Sequence, residues 1–469
     1  MTRTPRPARP HTTPPEPVLV SGAGIAGLSL AHWLRRLGHP VTVVEKAGAP
    51  RSGGYPVDVR GTALDVVERM GLLPRLREAH IGLRRLTFLD GDGTEVAALP
   101  PHSVTGGAEG RDLEVRRGDL TDALYEVVRD DVEFLFGDSI DSIDTPDPDR
   151  TGHGTGHRTG HGTGHRTGHG TGHRAGHGTG HRTGHGTGHR TGHGTGHRAG
   201  HGPGHRAGHG VDVTFRSGAC RTFGLVVGAD GTHSRTREIL FGPEDRFHRH
   251  LGHCFAVFTM PNTLALADEV VLWNTPGRAA ALYAVGDGDE VHALLAFAHP
   301  RPPRRLFGDS RAQRALLTEV FADAGWHVPD ILAAARGADD LFFDAVGQIR
   351  MPRWSSGRVA LLGDAAHAPS FLTGQGTSLA LVGAYMLAAS LAGRDHTAGF
   401  AAYEHGTRAF VTRNQDLVGE GGTTLFPPTA PALARRDARL RALRTLGSLP
   451  APAPRPAHTS LTLPVFPAP

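Results

Sequence analysis

Short apolar runs and apolar residues at helical spacing alternate along the chain, and the first such unit covers residues 17–46. Residues 18–20 form an apolar run that predicts a strand, and the apolar positions within 28–34 recur as on one face of a helix. Gly38 predicts the end of that helix, and residues 41–44 predict a second strand. This order of elements is typical of an α/β fold.

The same pattern returns later in the chain. Residues 225–227 and 357–362 predict two further buried strands, each followed by glycine and an acidic residue. Between them, residues 251–350 read as successive antiparallel strands, with a turn at 286–289. The patterning therefore predicts a parallel-sheet domain interrupted by a second, sheet-based domain that is suited to form the wall of a substrate pocket.

Glycines crowd the first strand-to-helix turn, as dinucleotide binding requires. Gly22 permits the tight turn, Gly24 removes a side chain where a pyrophosphate must approach, and Gly27 lets the helix pack close to the strand. Backbone N–H groups at the helix start then face the phosphates. Glu45 ends the second strand, where a carboxylate can accept hydrogen bonds from the ribose hydroxyls of an adenosine.

Two further turns carry glycine and a carboxylate after a buried strand, namely Asp230-Gly231 and Gly363-Asp364. Residues 374–377 follow at a predicted helix start, whose positive end suits the electron-rich pyrimidine edge of a flavin. Arg117 is placed to reach a phosphate or the ribityl chain. One dinucleotide unit with two such turns is more than a nicotinamide cofactor alone requires.

Composition excludes several other classes of function. The formal charge of the 469-residue chain is only +4, and no basic stripe interleaved with aromatic residues points to nucleic acid. The most apolar stretch, residues 378–392, is too short to span a bilayer. Cys220 and Cys254 lack metal-site spacing, and no secretory signal opens the chain, so a reduced cytoplasmic protein is predicted.

Residues 151–210 form a low-complexity repeat of TGHG, TGHR and close variants. Its glycine content opposes a helix, so the sequence predicts a disordered insertion, which a fold tolerates because loop-closure entropy grows only slowly with length. The tract interrupts a predicted β-hairpin. It could collect metal ions or be an expanded repeat of no function, and we favour the second interpretation and predict no metal site.

Three motifs together give the chain its resemblance to a known family. GAGIAG at residues 22–27 with Glu45, GADGTHSRTR at 228–237 and GDAAHAPSFLTGQGTSLA at 363–380 occur in the order found in class A FAD-dependent aromatic monooxygenases. The chain resembles p-hydroxybenzoate hydroxylase-like and tetracycline-hydroxylating members over residues 17–415. Arg117 matches the family arginine that precedes an Asp-Leu pair, whereas Phe371 stands where the family usually has proline.

The resemblance implies tightly held FAD, NADPH or NADH as co-substrate, and O2. It implies oxygen transfer through a flavin C4a-hydroperoxide to an aromatic or polyketide-like small molecule, with the second motif serving both FAD and the nicotinamide cofactor. No catalytic side chain is assigned, and His367 is given a structural role. The predicted cofactor-binding residues are Gly22, Gly24, Ile25, Ala26, Gly27, Glu45, Lys46, Arg51, Asp58, Arg117, Asp230, Gly231, Gly363, Asp364, Gly374, Gln375, Gly376 and Thr377.

The predicted fold class is α/β, of the two-dinucleotide-binding type, with a Rossmann-like FAD-binding domain and a mixed β-sheet substrate domain. The predicted segments are a disordered N-terminus at 1–16, the FAD-binding domain at 17–82, 107–250 and 351–415, the substrate domain at 83–106 and 251–350, a helical segment at 416–449 and a disordered tail at 450–469.

Three alternative functions remain open at this point. A flavin-dependent dehydrogenase or reductase would act without O2. A flavin-dependent halogenase commonly needs a pocket lysine, but Lys46, the only lysine, lies beside the predicted adenosine site. A metal-binding protein would use the histidine-rich tract. Substrate identity, the choice between NADPH and NADH, and oligomeric state are not readable from the sequence.

Overall fold

The computed structural model describes residues 15–50, 54–105, 110–144, 210–445 and 455–466. Its strands are β1 (Val18–Ser21), β2 (Val41–Glu45), β3 (Pro56–Val59), β4 (Arg85–Leu89), β5 (Glu95–Leu99), β6 (Leu113–Arg116), β7 (Glu133–Phe136), β8 (Ile140–Asp144), β9 (Val211–Phe215), β10 (Cys220–Phe223), β11 (Leu225–Gly228), β12 (His248–Pro261), β13 (Glu269–Thr275), β14 (Arg278–Tyr283), β15 (Glu290–Ala298), β16 (Phe342–Ile349), β17 (Ser355–Ser356) and β18 (Val359–Leu361).

Helices alternate with these strands in the manner of an α/β protein. They are α1 (Ile25–Arg36), α2 (Thr62–Arg69), α3 (Leu73–Glu78), α4 (His102–Thr105), α5 (Arg117–Glu126), α6 (Arg235–Phe241), α7 (Ser310–Val320), α8 (Val328–Gly337), α9 (Asp364–His367), α10 (Gly376–Leu391), α11 (His396–Asp416), α12 (Val418–Leu425) and α13 (Ala430–Thr445). Within the described residues, no helix is long and apolar enough to cross a bilayer.

The first sheet has the strand order β17-β18-β11-β1-β2-β7, and its pairs are parallel except that between β17 and β18. Every residue of β1, β11 and β18 is buried, as expected for central strands of a parallel sheet covered on both faces. The helices α1 and α10 pack against each other beside this sheet, and both are almost entirely buried. This layer is the predicted Rossmann-like unit.

Neighbouring strands of this sheet bring the three sequence motifs together. Ser21 at the end of β1 pairs with Gly228 of β11, and Gly228 pairs with Leu361 of β18. Because the three strands are adjacent and parallel, the turns that follow them meet at one edge of the sheet. The Ala229 amide donates to Ser21 O at 2.8 Å, and the Leu362 amide donates to Gly228 O at 2.9 Å.

The second sheet has the strand order β16-β12-β15-β14-β13-β4-β5. All its pairs are antiparallel except β13 with β4, so the predicted mixed β-sheet is confirmed. The helices α7 and α8 contribute to the apolar core on one of its faces. Its opposite face carries Leu272 and Leu294, which line a large cavity shared with the first sheet.

The strands on either side of the histidine-rich repeat, β8 and β9, pair antiparallel with Ile143 opposite Val213. This pairing agrees with the prediction that the repeat interrupts a β-hairpin. The repeat itself, residues 151–209, lies outside the described residues.

The C-terminal segment differs from the sequence-based expectation of a disordered tail, because residues 455–466 pack on the first layer. Leu463 is 8% exposed, and the Tyr385 hydroxyl donates to Pro464 O at 2.6 Å. The Phe466 ring lies 4.8 Å from the Trp33 ring, and the Thr62 hydroxyl donates to Leu461 O. Apolar residues placed between prolines let an extended segment bury side chains without secondary structure.

Candidate active site

The glycine-rich turn after β1 has the geometry that its sequence predicts. Gly22 has φ +108°, a conformation that side chains rarely allow, and a Cβ on Gly27 would lie 1.9 Å from Gly22 O. A Cβ on Gly24 would meet nothing within 4 Å, because this backbone faces open space. Gly22 and Gly27 therefore serve packing, whereas Gly24 leaves room for a ligand.

Two long helices begin at this open space. No side chain caps α1 at Gly24 or α10 at Gln375, so the first N–H groups of both helices remain available to a ligand. Gly376 resembles Gly24 in that a Cβ there would meet nothing within 4 Å. Two uncapped helix starts that converge on one cavity suit a ligand with a phosphate at one end and an electron-rich ring edge at the other.

The space is a cavity of about 540 Å³ that extends from the glycine-rich turn to the second sheet. Ten of the predicted cofactor residues line it: Gly24, Ile25, Ala26, Asp58, Arg117, Gly231, Asp364, Gly374, Gly376 and Thr377. They come from segments far apart in the sequence, so the tertiary fold assembles them. The donors, open glycine backbones and helix starts fit FAD.

Arg117 and Asp364 both line this cavity, and their opposite charges attract each other. Burial raises the pKa of the Asp364 carboxyl, and the positive charge of Arg117 opposes that rise. Arg117 begins α5, and its position beside the cavity supports the predicted contact with a phosphate or ribityl group.

The other predicted cofactor residues that the structure describes do not line this cavity. Gly363 has φ +61° and a Cβ there would come within 2.9 Å of the Ala26 Cβ, so it allows close packing. Lys46 is exposed, and Arg51 lies outside the described residues. Gln375 is fully buried, with side-chain atoms that find no hydrogen-bond partner among the described residues.

The two carboxylates of this group accept hydrogen bonds from nearby backbone amides and, in one case, from side-chain hydroxyls as well. Glu45 accepts hydrogen bonds from the Ala23 and Ala47 amides, both at 2.9 Å, and so ties the end of β2 to the glycine-rich turn. Asp230 accepts from the Thr236 amide and from the Thr236 and Ser234 hydroxyls, which stabilises the start of α6. Ligand contacts by Glu45 and Asp230 stay predictions.

Comparison with known proteins shows the family to which this chain belongs. Residues 216–417 match the FAD binding domain model, and residues 17–73 match the model of pyridine nucleotide-disulphide oxidoreductases. A flavin-dependent monooxygenase from an unknown prokaryotic organism is 31% identical over 408 residues, which cover 87% of this chain and 88% of that protein. The chain belongs to the class A FAD-dependent monooxygenases.

Two other proteins are similar to this monooxygenase over most of its length. An uncharacterized protein of Mycobacterium tuberculosis is 38% identical over 410 residues, or 86% of this chain and 92% of that protein. The crystal structure of tetracycline destructase Tet(55) has a TM-score of 0.71 and 28% identity, and the match covers 96% of this chain and 99% of that chain. The predicted family, fold class, enzyme class and FAD cofactor are thereby confirmed.

Arg237 connects the second and third motifs of this monooxygenase. Its guanidinium is fully buried and donates to Ala365 O at 3.1 Å and to Thr232 O at 2.6 Å. It also pairs with Glu244 at 2.9 Å. Because a buried cation needs such partners, this residue holds the two cofactor turns at a set separation.

His367, in the third motif, is buried away from the cavity. Burial lowers the pKa of its imidazole to about 3, and its ring packs 4.8 Å from the Trp354 ring. Its Nε2 atom lies 3.4 Å from the Tyr403 hydroxyl. A neutral, packed histidine in this position supports the structural role predicted from the sequence.

Phe371, at the family's usual proline position, joins an aromatic wall of the cavity. It begins a 3-10 turn, Phe371–Thr373, and its ring lies 4.7 Å from that of Phe255 and 6.0 Å from that of Phe426. All three rings line the cavity. The substitution therefore adds apolar surface where a flat, apolar ligand can pack.

The second motif is also joined to the second sheet by an ion pair. His233 lies between two carboxylates, with Nδ1 3.0 Å from Glu244 and Nε2 3.2 Å from Asp344 of β16. These hydrogen bonds, with Asp344 first and Glu244 second, raise the pKa of the imidazole to about 10. Asp344 lines the cavity, so the imidazolium links the cofactor turn to the opposite wall.

This link predicts a specific dependence of stability on pH. A histidine whose pKa is raised from 6.5 to about 10 stabilises the fold fully below pH 6.5, and that contribution is lost as the pH rises through 10. His233→Asn should therefore be less stable than the unchanged protein in urea unfolding at pH 6, and the difference should vanish near pH 10. The exposed His405→Asn should show no such trend. A pH-independent difference for His233→Asn contradicts the interpretation.

Several cavity residues were not singled out from the sequence. Glu114, Tyr283, His292 and Asp344 all line the cavity. Glu114 lies between the buried Leu113 and Val115 of β6, and this alternation is the signal that could have found it. For the others, only the pairing of strands in the second sheet shows which side chains face the cofactor.

Proposed function

We propose that this monooxygenase uses NAD(P)H and O2 to hydroxylate an aromatic or polyketide-like small molecule, and that it acts in the cytoplasm. One observation carries the proposal. A single cavity has the glycine-rich cofactor turns on one side and the apolar face of a β-sheet on the other. A substrate that packs on that sheet lies directly against the cofactor.

FAD, when bound, supplies electron transfer and oxygen activation. The protein contributes binding and orientation: the N–H groups at the start of α1 suit the phosphates, and those at the start of α10 suit the pyrimidine edge of the ring. Gly231 and Thr232 of the second motif also line the cavity, which supports a role for this motif toward the nicotinamide cofactor.

The substrate side of the cavity is mostly apolar. Phe255 and Val257 of β12, Leu272 of β13 and Leu294 of β15 line it, and Phe371 adds a further ring. Apolar walls exclude water from the reacting atoms. The likeness to tetracycline destructase Tet(55) supports a polycyclic aromatic or polyketide-like substrate.

We further propose the division into an FAD-binding domain at 17–82, 107–250 and 351–415 and a substrate domain at 83–106 and 251–350. Its support is that β4 and β5, from the first substrate segment, belong to the same sheet as β12–β16 from the second.

Isotope labelling tests the proposed reaction. The FAD-loaded protein is incubated with NADPH or NADH and a panel of phenols and tetracycline, under ¹⁸O₂ in ordinary water. We expect a product that carries one ¹⁸O atom from O2 and forms in proportion to the NAD(P)H consumed. The same incubation in H₂¹⁸O under ¹⁶O₂ is the control, and its hydroxylated product should be unlabelled.

Other products favour the alternatives. A substrate reduced or desaturated without incorporated oxygen indicates a dehydrogenase or reductase, and a chlorinated product formed in the presence of chloride indicates a halogenase. Either result, or the failure of the purified protein to retain FAD after reconstitution, overturns the proposal.

A further inference from the structure

The cavity contains a cluster of polar side chains within its apolar lining. Asp58 of β3 and Glu114 of β6 are directly opposite each other in a two-stranded antiparallel pair. Side chains of opposed residues lie on the same face of such a pair. Both line the cavity, and we call them the acidic pair.

Arg60 forms an ion pair with one member of the acidic pair. The Arg60 guanidinium lies 2.6 Å from the Asp58 carboxylate, and both side chains are largely buried, at 8% and 19% exposure. Glu114 forms no ion pair with any residue in the part of the chain that the structure describes. Asp58 is therefore the ion-paired carboxylate of the two, whereas Arg60 acts on Glu114 through its charge from a longer distance.

Tyr283 adds a hydroxyl to the same place. It lies on β14, opposite His292 of β15, and both side chains line the cavity. Its hydroxyl is buried and lies within hydrogen-bonding reach of the Glu114 carboxyl, which is its neighbour in the cavity wall. Buried hydroxyls normally have a partner, and Glu114 is the partner that the structure offers to this one, so the two side chains form one polar unit in the cavity lining.

The charges of these groups affect whether a carboxylate, a hydroxyl or an ammonium group of a ligand can bind beside them. Burial, together with the nearby charge of Asp58, raises the pKa of Glu114 to about 7. Burial also raises the pKa of Asp58, which shows that this part of the cavity disfavours negative charge. A ligand carboxylate would add a further buried negative charge, whereas a hydroxyl or ammonium group would donate a hydrogen bond to Glu114.

The cluster lies next to the predicted cofactor loop that leads into α10. A Cβ on Gly374 would lie 2.7 Å from an Asp58 carboxylate oxygen, so the acidic pair adjoins the loop that leads into α10. Tyr283 belongs to the opposite, apolar sheet. The cluster thus lies where the cofactor loop meets the substrate wall.

We infer that Glu114 and Tyr283 form a polar subsite for the substrate, which takes a hydroxyl or ammonium group and rejects a carboxylate. The inference rests on the proposed function in assuming that an aromatic substrate occupies this cavity. It specifies that substrate as a neutral or cationic aromatic with a hydrogen-bond donor at the end nearest Glu114.

Binding to the FAD-loaded protein tests the subsite without turnover. The probes are 2-naphthol, 2-naphthylmethylamine and 2-naphthoate, which share one ring system and differ in the polar group. We expect calorimetric titration at pH 7.5 to show that the carboxylate binds at least about tenfold more weakly than the other two, because it meets a like charge in a poorly solvated site.

Substitutions then assign the discrimination to the subsite. In Glu114→Gln, the affinities of carboxylate and amine should come within about threefold of each other, because the charge is gone. The exposed Glu78→Gln is the matched control and should keep the original order. Tyr283→Phe provides a second test if Glu114→Gln fails to fold: it should weaken 2-naphthol binding and leave the rejection of 2-naphthoate in place.

Three results overturn the inference: equal binding of carboxylate and amine by the unchanged protein, unchanged discrimination in Glu114→Gln, or no binding of any probe at millimolar concentration. These outcomes are separate from those of the labelling experiment. A protein that discriminates between the probes but incorporates no oxygen retains the subsite and loses the proposed reaction.

Discussion

Replacing Gly24 with valine is expected to abolish FAD retention while the fold stays intact. A Cβ on Gly24 meets no protein atom within 4 Å, so the new side chain is accommodated by the folded chain. It projects into the cavity at the start of α1, where the phosphates of FAD must approach the backbone. The affinity for FAD should fall by about 100-fold or more, which is roughly 3 kcal/mol.

The measurement is the titration of apoprotein with FAD, followed by flavin fluorescence, together with thermal unfolding of both apoproteins. Gly337→Val is the matched control, because its Cβ also meets nothing within 4 Å and it is exposed on α8, away from the cavity. Gly27→Ala should behave differently and lose folded protein, since its Cβ would lie 1.9 Å from Gly22 O. Stoichiometric FAD in purified Gly24→Val would contradict the site assignment.

Deleting residues 455–469 is expected to lower the free energy of unfolding by roughly 3–6 kcal/mol, from lost apolar burial and lost hydrogen bonds. The deletion uncovers Trp33, which packs on Phe466, and removes the acceptor of the Tyr385 hydroxyl at Pro464. It also removes His458, whose carbonyl oxygen lies 2.2 Å from the position of a Cβ on Gly61.

Two point substitutions test whether stability is lost because the segment no longer packs or because the chain is truncated. Leu463→Ala should cost about 2 kcal/mol in urea unfolding, because this side chain is 8% exposed and belongs to the main core. Val465→Ala, two residues away and 91% exposed, should change stability by less than about 0.5 kcal/mol. Equal effects of the two substitutions would show that the segment does not pack as described.

The cofactor side of the site was predictable because local backbone geometry encodes it. Gly22 and Gly363 both have positive φ, and Gly24 must leave room, so glycine is required at each position whatever lies elsewhere in the chain. The motifs also follow buried strands, whose apolar runs are visible in the sequence. For this reason the family, the α/β class and FAD could be inferred before the structure was known.

The roles of individual side chains were less predictable. Asp230 has the position expected of a cofactor ligand, but its carboxylate bonds Ser234 and Thr236 within its own turn. Asp58 was predicted to line the cofactor cleft, and its ion pair with Arg60 emerged only from the structure. Sequence patterns show which residue types are present at a turn. They do not show which hydrogen-bond partners those residues have in the folded chain.

The amino-acid sequence by itself determined the cofactor, the fold class and the order of the elements, because these depend on short-range spacing of glycine, apolar and acidic residues. The tertiary structure decided the substrate side. Glu114 and Tyr283 lie 169 residues apart in the sequence, and only the meeting of β6 with the second sheet brings them together. It also decided that the C-terminal segment packs, because burial of Leu463 depends on a surface built from several distant helices.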